Sequence, residues 1–119
     1  MDYELTATIF KALGDPKRVQ ILDILSCGEQ CACDILAYFD FTQPTLSHHM
    51  KVLMQAGLVQ SRKSGTWHHY SLNKEKMSEL SAILEMLLQN QRDCVCHEMK
   101  EINGACTNHS KEKVTQQQQ

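Results

Sequence analysis

The chain has 119 residues and a formal net charge of −2 at pH 7, and 42% of its residues are hydrophobic. This length suits one domain, and no apolar run approaches the roughly 20 residues of a transmembrane helix, which argues against a membrane partner. Six cysteines without a recognisable export signal are typical of reduced thiols in the cytoplasm rather than of a disulfide framework. Oxidised pairing in an exported protein is the alternative.

The N-terminal part of the chain predicts two successive helices. Tyr3–Leu13 carries apolar residues at helical spacing. Asp15 is then placed to cap a second helix, with Pro16 at its first position. Lys17 and Arg18 follow in the first turn, where a positive charge opposes the helix dipole. We expect both to be solvated surface charges, with a phosphate contact as the alternative.

A third and a fourth helix are predicted in close succession. The third runs from about Cys31 to Tyr38, and Phe39–Phe41 forms the turn after it. The fourth begins at Thr42, which can cap it, and has Pro44 in its first turn, where a missing N–H costs no hydrogen bond. Two helices joined by so short a turn are typical of a helix-turn-helix, in which the second helix reads the major groove of DNA.

The predicted fourth helix is amphipathic. Its apolar residues recur at helical spacing, at Leu46, Met50, Leu53, Met54 and Leu58. Its other face and its first turn carry polar residues, namely Gln43, Thr45, Ser47, His48, Lys51 and Gln55. We therefore expect one face to join the core and the other to face a partner.

A basic hairpin is predicted after this helix. Leu58–Arg62 and Trp67–Leu72 have strand character and are joined by the turn Lys63–Thr66. From Phe41 to Lys74 there is no Asp or Glu, although the chain contains 14 acidic residues. Contact with phosphate requires a locally positive surface rather than a positive protein. The pattern predicts a mainly α winged helix-turn-helix fold with a small β-hairpin. A solvated helix beside an ordinary hairpin is the alternative.

The last predicted helix runs from Lys74 to about Arg92 and carries a nearly continuous apolar seam. The seam consists of Met77, Leu80, Leu84, Leu87 and Leu88. We interpret it as a two-fold homodimer interface completed by the first helix, with packing inside its own domain as the alternative. Residues 1–92 are thus predicted to form a DNA-binding and dimerisation domain, and residues 93–119 a largely flexible, cysteine-containing tail.

Five segments along the chain carry a family resemblance. FKALGDPKRVQIL, EQCACDI, TQPTLSHHMKVL, AGLV and RKSGTWHHYSL closely resemble the ArsR/SmtB family of metal-responsive repressors, over about residues 5 to 90. The resemblance implies a winged-helix repressor that forms a homodimer through its first and last helices. It also implies that binding of an inducing ion releases the repressor from double-stranded operator DNA.

Cys31 and Cys33 form the most informative chemical group in the sequence. Residues two apart on an ideal α-helix point about 200° apart, so a single ion cannot bind both sulfurs unless the first turn unwinds. Thiolates select soft or thiophilic ions. We therefore expect ion binding to strain the third helix, which leads directly into the recognition helix, and to lower the affinity for DNA.

The segment EQCACDI resembles the cysteine motif of arsenic-responsive repressors. This resemblance implies that As(III) or Sb(III) is the inducer and that Cys31 and Cys33 are two of three thiolate ligands. In some members the third cysteine lies three residues further on, where this chain has Leu36. Four other cysteines could supply it, from the same chain or its dimer mate, namely Cys27, Cys94, Cys96 and Cys106. The tail cysteines could equally form a second site.

The DNA contacts expected from the sequence divide into two kinds. Polar side chains at the start of a recognition helix contact base edges in the major groove, and here these are Gln43, Thr45, Ser47 and His48. Lys51 is expected to contact phosphate. Arg62 and Lys63 in the wing are expected to contact the backbone or the minor groove, which fixes register rather than specifying bases.

Several alternatives use the same residues. The same fold could sense Cd(II), Pb(II) or Zn(II), or thiol oxidants, through its cysteines. A zinc site on the last helix is not supported, because no histidine lies between Lys74 and Arg92. A thiol enzyme is disfavoured, because Cys-x-Cys is not the usual Cys-x-x-Cys redox motif. A metal-buffering protein that uses its tail would bind metal without affecting DNA.

Overall fold

The computed structural model describes residues 1–89, which form five helices and three strands. The elements in chain order are α1 (Tyr3–Ala12), α2 (Pro16–Leu25), β1 (Gln30–Cys31), α3 (Ala32–Leu36), α4 (Gln43–Gln55), β2 (Val59–Ser64), β3 (Trp67–Leu72) and α5 (Lys74–Gln89). No helix among these residues is long and apolar enough to cross a membrane. The predicted end of the last helix and the predicted tail, with Cys94, Cys96 and Cys106, lie outside the described residues.

The helix starts follow the capping residues in the sequence. The side chain of Asp15 accepts a hydrogen bond from the backbone N–H of Lys17 at 2.8 Å, and Pro16 occupies the first helical position, as predicted. Asp2 caps α1 in the same way through the N–H of Leu5. Helix α4 begins at Gln43, directly after Thr42 as predicted, but the side chain of Thr42 makes no capping hydrogen bond.

The third helix begins one residue after its predicted start at about Cys31, and Cys31 itself is not helical. Cys31 has extended backbone angles, with φ −70° and ψ 148°, and pairs with His69 as part of β1. Helix α3 begins only at Ala32 and ends at Leu36. The strand is two residues long, so periodicity could not reveal it, and its partner lies far along the chain.

The three strands form an antiparallel sheet in the order β1-β3-β2. The hairpin of β2 and β3 is the predicted wing, and Gly65 at its turn has φ 64°, a left-handed conformation that glycine adopts without strain. Cys31 lies opposite His69, and His69 lies opposite Arg62. One row across the sheet therefore joins the cysteine strand to the wing.

The hydrophobic core lies within residues 1–81 and holds the recognition helix in place. Leu46, Met50 and Leu53 of α4 are each no more than 1% exposed, and they pack with Ile21 of α2 and Ile35 of α3. The apolar face predicted for α4 is therefore confirmed. In the separate unit that begins at Ala82, four large apolar residues of α5 are exposed, namely Leu84, Met86, Leu87 and Leu88.

Candidate DNA-binding surface and thiol site

The residues predicted to contact DNA from α4 all lie on its exposed side. Gln43, Thr45, Ser47, His48 and Lys51 are exposed, whereas the intervening apolar residues are buried. The absence of acidic side chains on this helix leaves its outer face suited to approach a polyanion. The helix thus presents a polar face, as the sequence predicts, and the individual base contacts stay predictions.

An arginine and a histidine hold α4 against the rest of the domain. The side chain of His49 is 7% exposed, and its Nδ1 lies 3.3 Å from Nη1 of Arg18. Nε of Arg18 donates to the backbone oxygen of Ala12 at 2.6 Å, and Nη2 donates to that of Lys11 at 3.4 Å. Arg18 therefore joins the end of α1 to α4, and the expectation that it is a solvated surface charge is wrong.

The environment of His49 favours its neutral ring. Burial lowers the pKa of His49, and the positive charges of Arg18 and Lys17 act in the same direction, while Asp15 opposes them. A neutral imidazole can accept a hydrogen bond from Arg18 at Nδ1. Phe41 contributes to this environment, because its ring centroid lies 5.5 Å from that of His49. The short turn before α4 is thus packed against the helix that it positions.

The wing presents the predicted cations, but one of them is already paired. Arg62 and Lys63 are both exposed on β2. Arg62 donates from Nε and Nη2 to the two carboxylate oxygens of Glu29, at 2.9 and 2.7 Å. This hydrogen bonding lowers the pKa of Glu29 and keeps it ionised. The role of Glu29 could not be predicted from the sequence, because no local signal relates two residues that are 33 positions apart.

The two predicted ligand cysteines lie side by side. Sγ of Cys31 is 2.9 Å from Sγ of Cys33. The expectation that these side chains point apart is wrong, because Cys31 is extended and only Cys33 is helical. The two sulfurs can therefore approach a common ion without unwinding of α3.

The thiol pair is electrostatically asymmetric. The hydrogen bond from Cys33 lowers the pKa of Cys31, and the backbone N–H groups of Cys33 and Asp34 add to this effect. The same contact raises the pKa of Cys33. Cys31 is therefore the sulfur that loses its proton first, and the thiolate is the form that binds thiophilic ions.

A third ligand does not accompany the pair within residues 1–89. No group of three His, Cys, Asp or Glu side chains in that range is arranged to hold a metal ion. Cys27 is exposed and lines a different surface cleft, beside Glu29 and Lys74. The other proposed third ligands, Cys94, Cys96 and Cys106, lie outside the described residues.

A shallow cleft connects the thiol segment with both DNA-binding elements. Its volume is about 130 Å³, and it is lined by Cys33 and Leu36 of α3, Gln43 of α4, and Trp67 and His68 of β3, among others. Residues of α3, the first residue of α4 and β3 of the wing thus line the same cleft. The sequence showed that α3 and α4 are consecutive, but it did not show the contact with the wing.

The chain resembles known regulatory proteins over most of its length. Residues 15–61 match the family described as "Bacterial regulatory protein, arsR family". The arsenical resistance operon repressor of Staphylococcus xylosus is 48% identical over 89% of this chain and 100% of its own length. That of Staphylococcus aureus is 46% identical over the same shares of the two chains.

A solved structure shares the fold. The homodimeric winged helix-turn-helix DNA-binding domain Mb0332 of Mycobacterium bovis, described as a possible ArsR-family regulator, has a TM-score of 0.60 and 28% identity. The match covers 76% of this chain and 87% of that one. These relatives are transcriptional regulators, so the thiol-enzyme alternative is excluded. The chain belongs to the ArsR family of DNA-binding bacterial transcriptional regulators.

Proposed function

We propose that this chain is a homodimeric, cytoplasmic repressor of an arsenical resistance operon, released from its operator when As(III) or Sb(III) binds Cys31 and Cys33. The observation that carries the proposal is the 2.9 Å separation of the two sulfurs at the start of α3, the first helix of the helix-turn-helix. The names of the two staphylococcal relatives support the choice of metalloid.

The geometry of the pair suits a thiophilic ion. A metal–sulfur bond of about 2.3 Å and an angle of about 90–110° at the ion place two sulfurs roughly 3.3–3.8 Å apart. The sulfurs therefore need to separate by less than about 1 Å from 2.9 Å. With arsenous acid, two As–S bonds replace two As–O bonds, and the two thiol protons leave with the hydroxyl groups as water.

The third ligand is proposed to be another thiolate. It could come from Cys27, Cys94, Cys96 or Cys106, on the same chain or on a second copy, because sulfur is the donor that trivalent arsenic shares with the existing pair. Without a third thiolate, two thiolates and one hydroxyl group that stays on the arsenic give the same coordination number of three. The site therefore needs only Cys31 and Cys33 from the described residues.

The proposed DNA complex uses the exposed side of α4 and the wing. Gln43, Thr45, Ser47 and His48 contact base edges, Lys51 contacts a phosphate, and Arg62 and Lys63 contact the backbone or minor groove. The arrangement is supported by the exposure of all seven side chains. It is also supported by the absence of acidic residues from Phe41 to Lys74.

The proposed dimer uses α1 and α5. Large apolar side chains are exposed on both helices, including Tyr3, Leu5 and Phe10 on α1 and Leu87 and Leu88 on α5. On each of these helices, exposed large apolar side chains are typical of a protein interface. A two-fold dimer also places two recognition helices on successive turns of the same DNA face.

A titration of DNA binding tests the proposal. Reduced protein is bound to labelled DNA from upstream of its own gene, and anisotropy is followed as arsenite, antimonite or cadmium is added. Arsenite is expected to release the wild type but not the Cys31→Ser/Cys33→Ser variant, and a Cys27→Ser variant serves as the matched thiol control. Equal release of the double variant would place the inducer site elsewhere. Release by peroxide alone, reversed by reductant, would establish an oxidant sensor instead.

A further inference from the structure

The wing cation Arg62 is neutralised by a residue that lies close to the cysteine pair. Glu29 accepts two hydrogen bonds from Arg62, at 2.7 and 2.9 Å. Glu29 lies two positions before Cys31 and directly precedes β1. This contact joins the loop that leads into the thiol site to the hairpin that is proposed to hold DNA.

The register of the sheet explains why these residues meet. Cys31 is opposite His69, and His69 is opposite Arg62, so these three residues lie in one row across β1, β3 and β2. Partners in an antiparallel pair project from the same face of the sheet. Glu29 precedes Cys31 by two residues and therefore reaches toward the same face, where its carboxylate meets Arg62.

The ion pair removes a positive charge from the wing. Each cation that contacts a DNA phosphate releases counterions and adds to affinity, whereas a cation paired with a carboxylate contributes little. Arg62 and Glu29 keep 58% and 37% of their side-chain surface accessible. An exposed pair of this kind is weak and readily exchanged for another anion. DNA phosphate is such an anion.

We propose that Glu29 competes with DNA phosphate for Arg62, and that this competition couples the state of the Cys31–Cys33 pair to the affinity of the wing for DNA. The coupling rests on the proposed function. The same DNA-free conformation holds the two sulfurs together and holds Arg62 on Glu29. An ion that binds both sulfurs stabilises this conformation. DNA instead stabilises a conformation in which Arg62 has left Glu29 and contacts a phosphate.

Charge-neutral variants test the competition without any inducer. Glu29→Gln retains the shape of the side chain and removes its charge. It is expected to tighten binding to operator and scrambled DNA alike by about two- to fivefold for each wing that contacts DNA. It is also expected to steepen the dependence of log affinity on log salt by about one unit for each such wing. In an Arg62→Ala background the same change is expected to have no effect.

The matched control removes a charge from another exposed ion pair. Glu79 contacts Lys76 at 2.9 Å on α5, and Glu79→Gln is expected to leave DNA affinity unchanged. If Glu29→Gln tightens DNA binding equally with and without Arg62, the cause is the loss of a negative charge near the DNA and not competition for Arg62. If Glu29→Gln weakens binding, Glu29 orients Arg62 for DNA instead. Either result overturns the proposal.

The coupling is tested by repeating the measurement with arsenite. The ratio of the DNA dissociation constants with and without arsenite is expected to fall about two- to fivefold in Glu29→Gln relative to the wild type. An unchanged ratio alongside normal release of the wild type overturns the coupling. If arsenite fails to release the wild type, the proposed function fails instead, and the inducer-free variants still decide whether Glu29 competes for Arg62.

Discussion

Arg18 and His49 meet across the domain, with Nη1 of the arginine 3.3 Å from Nδ1 of the histidine. The contact joins α2 to the inner side of the recognition helix. Because the same guanidinium binds two backbone oxygens at the end of α1, one side chain sets the relative positions of three helices. The orientation of the DNA-binding face therefore depends on a residue that does not need to contact DNA.

Replacement of Arg18 is expected to weaken both folding and DNA binding. Arg18→Ala leaves the carbonyl of Ala12 without its donor, and loss of a hydrogen bond from a charged group costs about 1–3 kcal/mol in the free energy of unfolding. Urea denaturation measures this change. Lys17→Ala, at the adjacent position, is the control and is expected to have a smaller effect on stability. Equal losses for the two variants would show that charge, rather than the hydrogen bonds of Arg18, is responsible.

The stability of the domain is expected to fall as the pH is lowered past the ordinary pKa of histidine. Burial lowers the pKa of His49 in the folded state, so the unfolded chain, with a histidine pKa of about 6.5, binds the proton more readily. The contribution of neutral His49 is fully present above pH about 6.5 and is lost as the pH falls toward its lowered folded value. Urea denaturation between pH about 8 and 5 measures the change. His49→Gln is expected to flatten the profile in this range, and an unchanged profile would contradict the assignment.

The elements that could be predicted from the sequence are those with local signals. Asp15 followed by Pro16 marks the start of α2, and the apolar spacing of Leu46, Met50 and Leu53 gives the inner face of α4. Capping is determined within a few residues, and burial of a helix face follows its periodicity. The basic hairpin followed from strand character and from the absence of acidic residues.

The features that could not be predicted depend on contacts that are distant in sequence. The pairs Arg18–His49 and Glu29–Arg62 span 31 and 33 positions. The two-residue strand β1 exists only because β3 supplies its partner. This strand gives Cys31 its extended conformation and so brings its sulfur to Cys33. The residues of the thiol site were predicted, but its geometry was not.

Residues on α4 and in the wing are expected to affect DNA binding in different ways. His48→Ala removes a side chain positioned to read base edges, so it is expected to reduce the preference for operator over scrambled DNA. Lys63→Ala removes the proposed contact with the DNA backbone and is expected to weaken binding to both DNAs alike, with a shallower salt dependence. Anisotropy titrations on the two DNAs at several salt concentrations distinguish these effects. A loss of sequence preference in Lys63→Ala and a uniform loss of affinity in His48→Ala would contradict the assignment.

Cys31 is expected to react with alkylating agents faster than Cys33. The hydrogen bond between the two thiols lowers the pKa of Cys31 and raises the pKa of Cys33. At neutral pH the thiolate population is therefore greater at Cys31. Limited iodoacetamide labelling followed by peptide mass spectrometry measures the two rates. Cys33→Ala removes the sulfur that interacts with Cys31 and is expected to slow alkylation of Cys31, whereas Cys27→Ala is expected to leave it unchanged. Faster labelling of Cys33 in the wild type would contradict the proposed asymmetry.

Charges introduced into the apolar surface of α5 are expected to dissociate the proposed dimer. Leu87 and Leu88 are 56% and 84% exposed, so Leu87→Glu combined with Leu88→Glu places no charge inside the part of the chain that the structure describes. In a dimer the same carboxylates would lose water at an apolar interface, which is costly without a partner charge. Sedimentation velocity is expected to show a monomer, and DNA affinity is expected to fall because two linked half-site contacts become independent. Gln89→Glu adds a similar charge to the same helix and is the matched control. A dimer that survives the double change would show that α5 does not form the interface.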